Sequence, residues 1–400
     1  RDVAHQSTGA TVLGLQEHNK NMLYRFAENI SESKDWCTYW EINKDNLPAP
    51  MDYKNDKDFW YNLPANFDVL DACMRVFKWT GDSTYIKDPV FMNFYDKSMN
   101  EYVDRWALSA EKVFSRSRIM NLPEGATPEN HHYYDKRGIP GYHEGAGGKM
   151  QVGIDLLAVQ YAANNWMHYI SSLGKNPASS SPWITEAQKI DSLIKNVFWD
   201  PEKKDFRIIF YADGTSDYTV GEGMDFSHTL LHYQAVEDTM LVNSLLDTYS
   251  KKKESLIIEI ASHLPDIFFK YGRPDDGIFM LKHLTDSIKH RREYPENPFS
   301  VVGAYATGLM GININAPDNF ISTFSGLADS TAWVLMEELP FKNGKISLLH
   351  EGRHSSVLRN YTEETIYWQV FLDASPDEWF INGEPKKYDG EHHQWFGSEV

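Results

Sequence analysis

From Glu17 to Ile312 apolar side chains recur every three to four positions, the spacing that gathers them on one face of a helix. The stretch EHNKNMLYRFAENI (Glu17 to Ile30) predicts a first helix. ANFDVLDACMRVFKWTGD predicts a second through Phe67, Leu70, Met74 and Phe77, and FMNFYDKSMNEYVDRW a third with more polar residues between its apolar positions. Met150 to Leu173 is apolar on nearly every face, whereas ITEAQKIDSLIKNVF after it is amphipathic. Buried inner helices therefore alternate with half-exposed outer ones. Gly81, Gly174 and Gly272 each close an inner helix before a short polar turn, which suits a left-handed C-terminal cap, and their even separation suggests two helical hairpins between each pair. Hairpins repeated in this way close into a toroid.

The pattern changes after Asn315. STAWVLMEELPF, GKISLLHEG, SSVLRNYTEETIYWQVFLD and EWFINGEP are short runs rich in Val, Ile, Thr and Trp, broken by Asn-Gly and Glu-Gly turns. They predict a C-terminal β module over residues 319–400, after a mainly helical domain over residues 1–318. A smaller strand signal, DFRIIFYADGTSDY, reads as a hairpin turning at Asp213-Gly214 and inserted between helices at the rim of a pocket.

Composition narrows the chemistry. The 400 residues are 42% hydrophobic, ample for a core, and the formal charge of -18 comes with no basic run longer than Lys251 to Lys253. Nucleic acid needs clustered cations and is not an expected partner. No apolar run reaches the length of a membrane span. Cys37 and Cys73 are too few for a disulfide framework and lack zinc-site spacing. Paired histidines at 131–132 and 392–393 have no partner ligands at helical spacing, and GEGMDFS lacks the lysine of a phosphate loop, so neither metal nor cofactor is implied. The opening RDVAHQSTGA has neither an initiator Met nor a signal-like stretch, which leads us to expect a true N-terminus upstream. With 12 Trp and 22 Tyr the chain is rich in side chains that stack on sugar rings.

WTGDSTYI, DLLAVQYAANNWMHYISSLGK, YGRPDDGIFMLKHL, SVVGAYATGLMGI and GKISLLHEGRHSSVLRN, spread over most of the chain, resemble the six-hairpin (α/α)6-barrel glycosidases, and among them the bacterial α-L-rhamnosidase type. The resemblance implies a mainly α, (α/α)6 toroid followed by a small β module. It implies a glycoside hydrolase, inverting and exo-acting, on an oligo- or polysaccharide, in a bacterium that degrades polysaccharides and in a periplasmic or secreted location, the cytoplasm remaining open. An N-terminal β-sandwich would precede this stretch.

In such barrels the pocket lies where loops enter the inner helices, so a carboxylate just before an inner helix faces the substrate. Glu144 in YHEGAGG, Glu222 and Asp225 in GEGMDFS, and Glu293 and Glu296 in RREYPENPFS all occupy such positions. Each has an ordinary alternative, capping the orphan N–H groups of the helix it precedes, and Asp225 suits that role best. Glycosidic cleavage needs one carboxylic acid to protonate the leaving oxygen and one carboxylate to activate water, and Glu144 with Glu296 meets that need best. Glycines beside Glu144 let backbone approach a sugar, while Tyr142 and His143 offer a stacking face and hydrogen bonds. Trp36, Trp40, Trp60, Tyr61 and Asn62 form candidate substrate platforms, with packing under a loop as the plainer reading. His132 lies in ENHHYYDKRG, and that loop, with Arg273 as a partner for a uronate carboxyl, keeps open a polysaccharide lyase. A non-catalytic carbohydrate-binding protein is the other alternative. The sugar and the oligomeric state are left open.

Overall fold

The computed structural model describes residues 1–116, 137–143, 150–173, 181–219, 225–291 and 293–372, with the backbone alone of strands Glu378–Ile381 and Glu384–Lys387. Helices run in inner and outer pairs. Inner α1 (Asp2–Val12) is backed by outer α2 (Gln16–Glu28), and inner α3 (Ala65–Thr80) by α4 (Pro89–Met99) and α5 (Glu101–Trp106). Next, α6 (Ile154–Ser172) is backed by α7 (Ser181–Leu193), and α8 (His228–His232) by α9 (Thr239–Lys252). A short α10 (Ile258–Ala261) leads into α11 (Leu264–Lys270), which packs against α12 (Pro274–Thr285). The last inner element is α13 (Glu296–Gly303), continued by a π-helical stretch from Ala304 to Leu309. Contacts run α1 to α3 to α6 to α8 to α11 to the π-helical stretch, and α13 returns to α1. The ring is an (α/α)6 toroid.

Burial explains which helices face inward. In α3, thirteen positions from Ala65 to Trp79 are buried, and in α6 the run from Ile154 to Gln160 is buried without a break. In α7 only Ala187 and Ile190 are. Gly81 caps α3 at φ 72°, its N–H reaching the Phe77 carbonyl, the left-handed C-terminal cap that glycine tolerates best.

Three local expectations are corrected. The first helix is α1, not the one at Glu17. α1 was hidden because Ser7, Gly9 and Thr11 occupy its buried face and leave no apolar stripe; the Ser7 and Thr11 hydroxyls donate to the Ala4 and Ser7 carbonyls, both at 2.7 Å, so they are buried without cost. Met150–Gly153 is a strand, paired with Ile209–Tyr211 of the inserted hairpin, and α6 starts after it. Only one hairpin separates α3 from α6, whereas two separate α6 from α11. Gly174 lies outside the described residues.

The strand-rich end of the chain begins at Asn313. Asn313–Asn315 pairs antiparallel with Phe320–Phe324, which pairs parallel with Tyr367–Phe371, while Trp333–Phe341, Gly344–Glu351 and Ser355–Asn360 form an antiparallel meander. Ile321, Val334, Ile346 and Leu348 share one apolar cluster with Val12, Trp79, Phe269 and Leu309, which sit at the C-terminal ends of inner helices. The strands thus close one end of the toroid and leave the helix N-termini for the other.

The ring closes through a glycine. A Cβ on Gly9 of α1 would stand 2.0 Å from the Phe299 carbonyl oxygen of α13, whereas one on the facing Gly303 would meet nothing nearer than 3.5 Å. Gly9→Ala is therefore expected to lower unfolding stability by about 1–3 kcal/mol or more, the usual cost of overpacking. Gly303→Ala should leave it within about 0.5 kcal/mol. Thermal and urea unfolding of the two variants check this, and equal effects would mean that the α1–α13 approach is not tight.

Candidate active site

The N-terminal turns of the inner helices converge on one place. α1 brings Asp2 and His5, α3 brings Asp68, α6 brings Asp155, and α8 brings His228 and His232; His263 precedes α11 and Glu296 opens α13. None of these helices is capped by its own N-cap side chain, so the positive ends of their peptide dipoles face the same region. A pocket of about 270 Å³ lies there, just under the size of ordinary ligand sites. His5, His228, His263 and Glu296 line it together with Tyr142, His143 and Phe226 from the loops, and Arg1, Ile257 and Glu259 complete the wall.

Glu296 is 2% exposed. Burial, reinforced by the negative charge of Asp2, raises its pKa to about 9, so the carboxyl carries its proton at neutral pH. His5 stands beside it, Nδ1 at 3.4 Å from Glu296 Oε1, and turns Nε2 to the Tyr233 hydroxyl at 3.4 Å and to Asp68 Oδ1 at 4.0 Å. Asp68 Oδ1 accepts hydrogen bonds from Tyr233 (2.6 Å) and Tyr142 (2.7 Å), while buried Oδ2 has no partner. Burial lifts the Asp68 pKa and the two phenols oppose the lift. Burial also keeps the histidines neutral: it depresses His5, His232 and His263 strongly and takes His228 to about 3. The His263 ring meets those of His5 and His232 edge-on at 4.7 and 4.6 Å. Among the described residues no group of three or more His, Cys, Asp or Glu side chains is placed to hold a metal ion.

Asp155 explains two glycines of the loop before α6. Its Oδ2 accepts the Tyr142 N–H at 2.6 Å, and the carboxyl fills the space a side chain would need. A Cβ on Gly153 would lie 2.5 Å from Asp155 Oδ1, and one on Gly141 would lie 3.1 Å from it. Burial raises the Asp155 pKa to about 7, against the pull of the Tyr142 N–H. The glycines therefore seat a buried acid that fixes Tyr142 and His143 in the pocket wall.

The other sequence candidates scatter. Glu144, Glu222 and His132 lie outside the described residues. Asp225 is not a pocket carboxylate: it accepts the Ser227 N–H at 2.8 Å at the start of α8 and pairs with Lys252 at 2.7 Å. Glu293 is solvent-exposed. Arg273 sits beyond the C-terminal end of α11, on the opposite side from His263, and pairs with Asp247 at 2.8 Å on the surface. Tyr61 is a core residue whose hydroxyl donates to Asn66 Oδ1, and Trp36 is half-buried under the Lys97 ammonium, 5.3 Å from its ring. Trp60 is half-buried, and neither polar atom of the buried Asn62 amide has a partner. Trp40 stays near the pocket, with the Arg1 guanidinium 5.7 Å from its ring and 5.2 Å from that of Tyr142. Asp2, His5, Asp68, Asp155, His228, His263 and Glu259 escaped the sequence reading. For Asp68 and Asp155 a signal existed, an acid set inside an apolar run in NFDVLDACM and GIDLLAV.

No family model matches the sequence, and no curated protein matches it significantly. Solved structures do match the fold. A family 78 rhamnosidase of Bacillus sp. GL1 superposes with a TM-score of 0.52 at 13% identity, over 78% of this chain and 33% of that one. A sialidase gives 0.49 at 11% identity, over 70% of this chain and 29% of that one. A human-microbiome protein with the provisional name kojibiose phosphorylase gives 0.49 at 10% identity, over 91% of this chain and 51% of that one. The chain thus shares its (α/α)6 fold with the rhamnosidase and spans about a third of that protein's length.

The buried proton on Asp155 can be checked by stability. With its pKa raised from 3.8 to about 7, the unfolded chain releases a proton over that interval while the folded one keeps it, so this residue's contribution to stability falls as pH rises from about 4 to 7. Asp155→Asn keeps an acceptor for the Tyr142 N–H and has nothing to ionise. Its melting temperature should gain on the parent protein's between pH 4 and pH 7; a difference independent of pH would contradict the assignment.

Proposed function

We propose that this chain contains the catalytic barrel of a glycoside hydrolase in which Glu296 is the general acid. The observation that carries the reading is a carboxyl buried to 2% exposure in the wall of a pocket sized for a single sugar ring, a setting that raises its pKa and favours the protonated form. The fold it shares with the rhamnosidase supports the reading without specifying the sugar.

In this reading the Glu296 O–H bond breaks as its proton passes to the glycosidic oxygen, and the anomeric C–O bond cleaves. Glu259, in the same pocket wall and paired with Arg291 at 2.8 Å, takes the proton of the attacking water, as an inverting mechanism requires. Glu144 is the other carboxylate proposed for that second role. A pocket holding one ring favours exo-action at a chain end. Domain limits of 1–318 and 319–400, and a bacterial enzyme acting outside the cytoplasm, belong to the same proposal. A lyase is disfavoured because Tyr142, the tyrosine lining the pocket among the described residues, has its pKa driven well up by burial and by Asp68.

Purified protein would be screened against aryl glycosides and oligosaccharides, reading reducing-end release and unsaturated-uronate absorbance together. Release without absorbance is expected. Glu296→Gln should lower turnover on the cleaved substrate by about 10² to 10⁴, the range for a positioned acid. Uronate absorbance, or full activity of the variant, would overturn the proposal.

A further inference from the structure

His5 makes two opposed contacts, and their directions can be worked out from Asp68. Tyr233 has one proton, given to Asp68 Oδ1 at 2.6 Å, so toward His5 its oxygen is an acceptor. His5 Nε2, 3.4 Å from that oxygen, is then the nitrogen that bears hydrogen, since the buried ring is neutral and carries only one. Nδ1 is left as a lone pair facing Glu296 Oε1 at 3.4 Å. Glu296 Oε1 has no made hydrogen bond, so a proton carried on that oxygen would have an acceptor beside it, while an ionised Glu296 would face a lone pair.

We propose that His5 is a positioning residue for the proton donor: its Nδ1 lone pair, oriented through Tyr233 by Asp68, holds the Glu296 carboxyl protonated and aimed until a glycosidic oxygen takes the proton. The inference rests on the reading of Glu296 as the acid. Both 3.4 Å contacts are longer than made hydrogen bonds, as catalytic contacts commonly are before a ligand tightens them. Other elements face Glu296 as well: Arg1 and Asp2 from the start of α1, Glu259 from α10, His263 before α11, and Tyr294 just before α13. Of these, Asp2 hydrogen-bonds the Glu296 carboxyl and favours its protonated form, but its own side chain is 50% exposed at the open end of α1. His5 is its buried neighbour, with a side chain 6% exposed.

The test uses the whole chain and two glycosides of the sugar found in the screen, one with a 2,4-dinitrophenyl leaving group that departs without a proton and one with a 4-methoxyphenyl group that needs it. Glu296→Gln, His5→Phe and His5→Asn are compared by kcat on each. His5→Phe fills the volume without an acceptor; His5→Asn restores an amide oxygen close to the position of Nδ1. His5→Phe should lose about tenfold or more on the 4-methoxyphenyl glycoside relative to the dinitrophenyl one, following Glu296→Gln, and His5→Asn should recover most of that loss. Equal losses of His5→Phe on both glycosides, or His5→Asn no better than His5→Phe, would overturn the role of His5 while leaving Glu296 in place. If Glu296→Gln itself showed no dependence on the leaving group, the acid assignment would fall, and the positioning role with it.

Discussion

The grouping of Glu296 with Asp2 and His5 depends on one backbone approach, that of Gly9 in α1 to the Phe299 carbonyl in α13, where a Cβ would stand 2.0 Å from the oxygen. This contact joins the first inner helix to the last. It brings Asp2 and His5, at the start of α1, within reach of Glu296, at the start of α13, although nearly three hundred residues separate them. The acid, its charged neighbour and the imidazole beside it therefore exist as a group only when the ring is closed. Arg75 of α3 ties α1 to the next helix of the ring by donating to Thr8 Oγ1 at 3.0 Å, held in place by Asp71 one turn back on α3 at 2.7 Å.

The same geometry sets the electrostatics. Helix N-termini that converge favour negative charge, yet burial penalises it, and the site is a compromise between the two. Glu296 resolves the conflict by holding its proton, Asp155 by keeping one until the pH reaches about 7, and Asp68 by collecting two phenolic donors. The histidines resolve it by staying neutral. A cluster of buried polar groups results in which some polar atoms are still unmatched, among them Asp68 Oδ2, an acceptor. Unmatched buried acceptors are costly, and a ligand with several hydroxyls offers the donors they lack. At the far end the problem does not arise, because the strands from Asn313 onward cover the helix C-termini with an apolar cluster and with His350, whose Nε2 lies 3.1 Å from the Met310 carbonyl.

How much of this was legible depended on whether a residue's task follows from local spacing. The barrel and the strand-rich end were readable because α3 and α6 are apolar all round and the runs after Asn315 are β-branched and turn-punctuated. Glu296 was readable from its place before an inner helix, and Tyr142 and His143 from the loop that Asp155 fixes. α1 was not, since its buried face is Ser, Gly and Thr, chosen for close helix contact and internal hydrogen bonds rather than for hydrophobicity. Missing α1 hid His5. Arg273 and Asp225 misled for the opposite reason: residue type and position suited a site, but each found an ordinary partner, Asp247 on the surface and Lys252 at the C-terminal end of α9. Sequence spacing cannot tell which end of an inner helix a loop charge will meet, and only the closed ring decides it.

The protonation of Glu296 is the claim on which the account turns, and it can be measured without any substrate. Carboxyl ¹³C NMR of protein labelled at glutamate, compared with the Glu296→Gln variant to identify the signal, follows that one group through a pH titration. The account predicts a resonance that is still protonated at pH 7 and titrates near 9. A Glu296 signal that titrates between about 4 and 5, like an ordinary exposed glutamate, would contradict it.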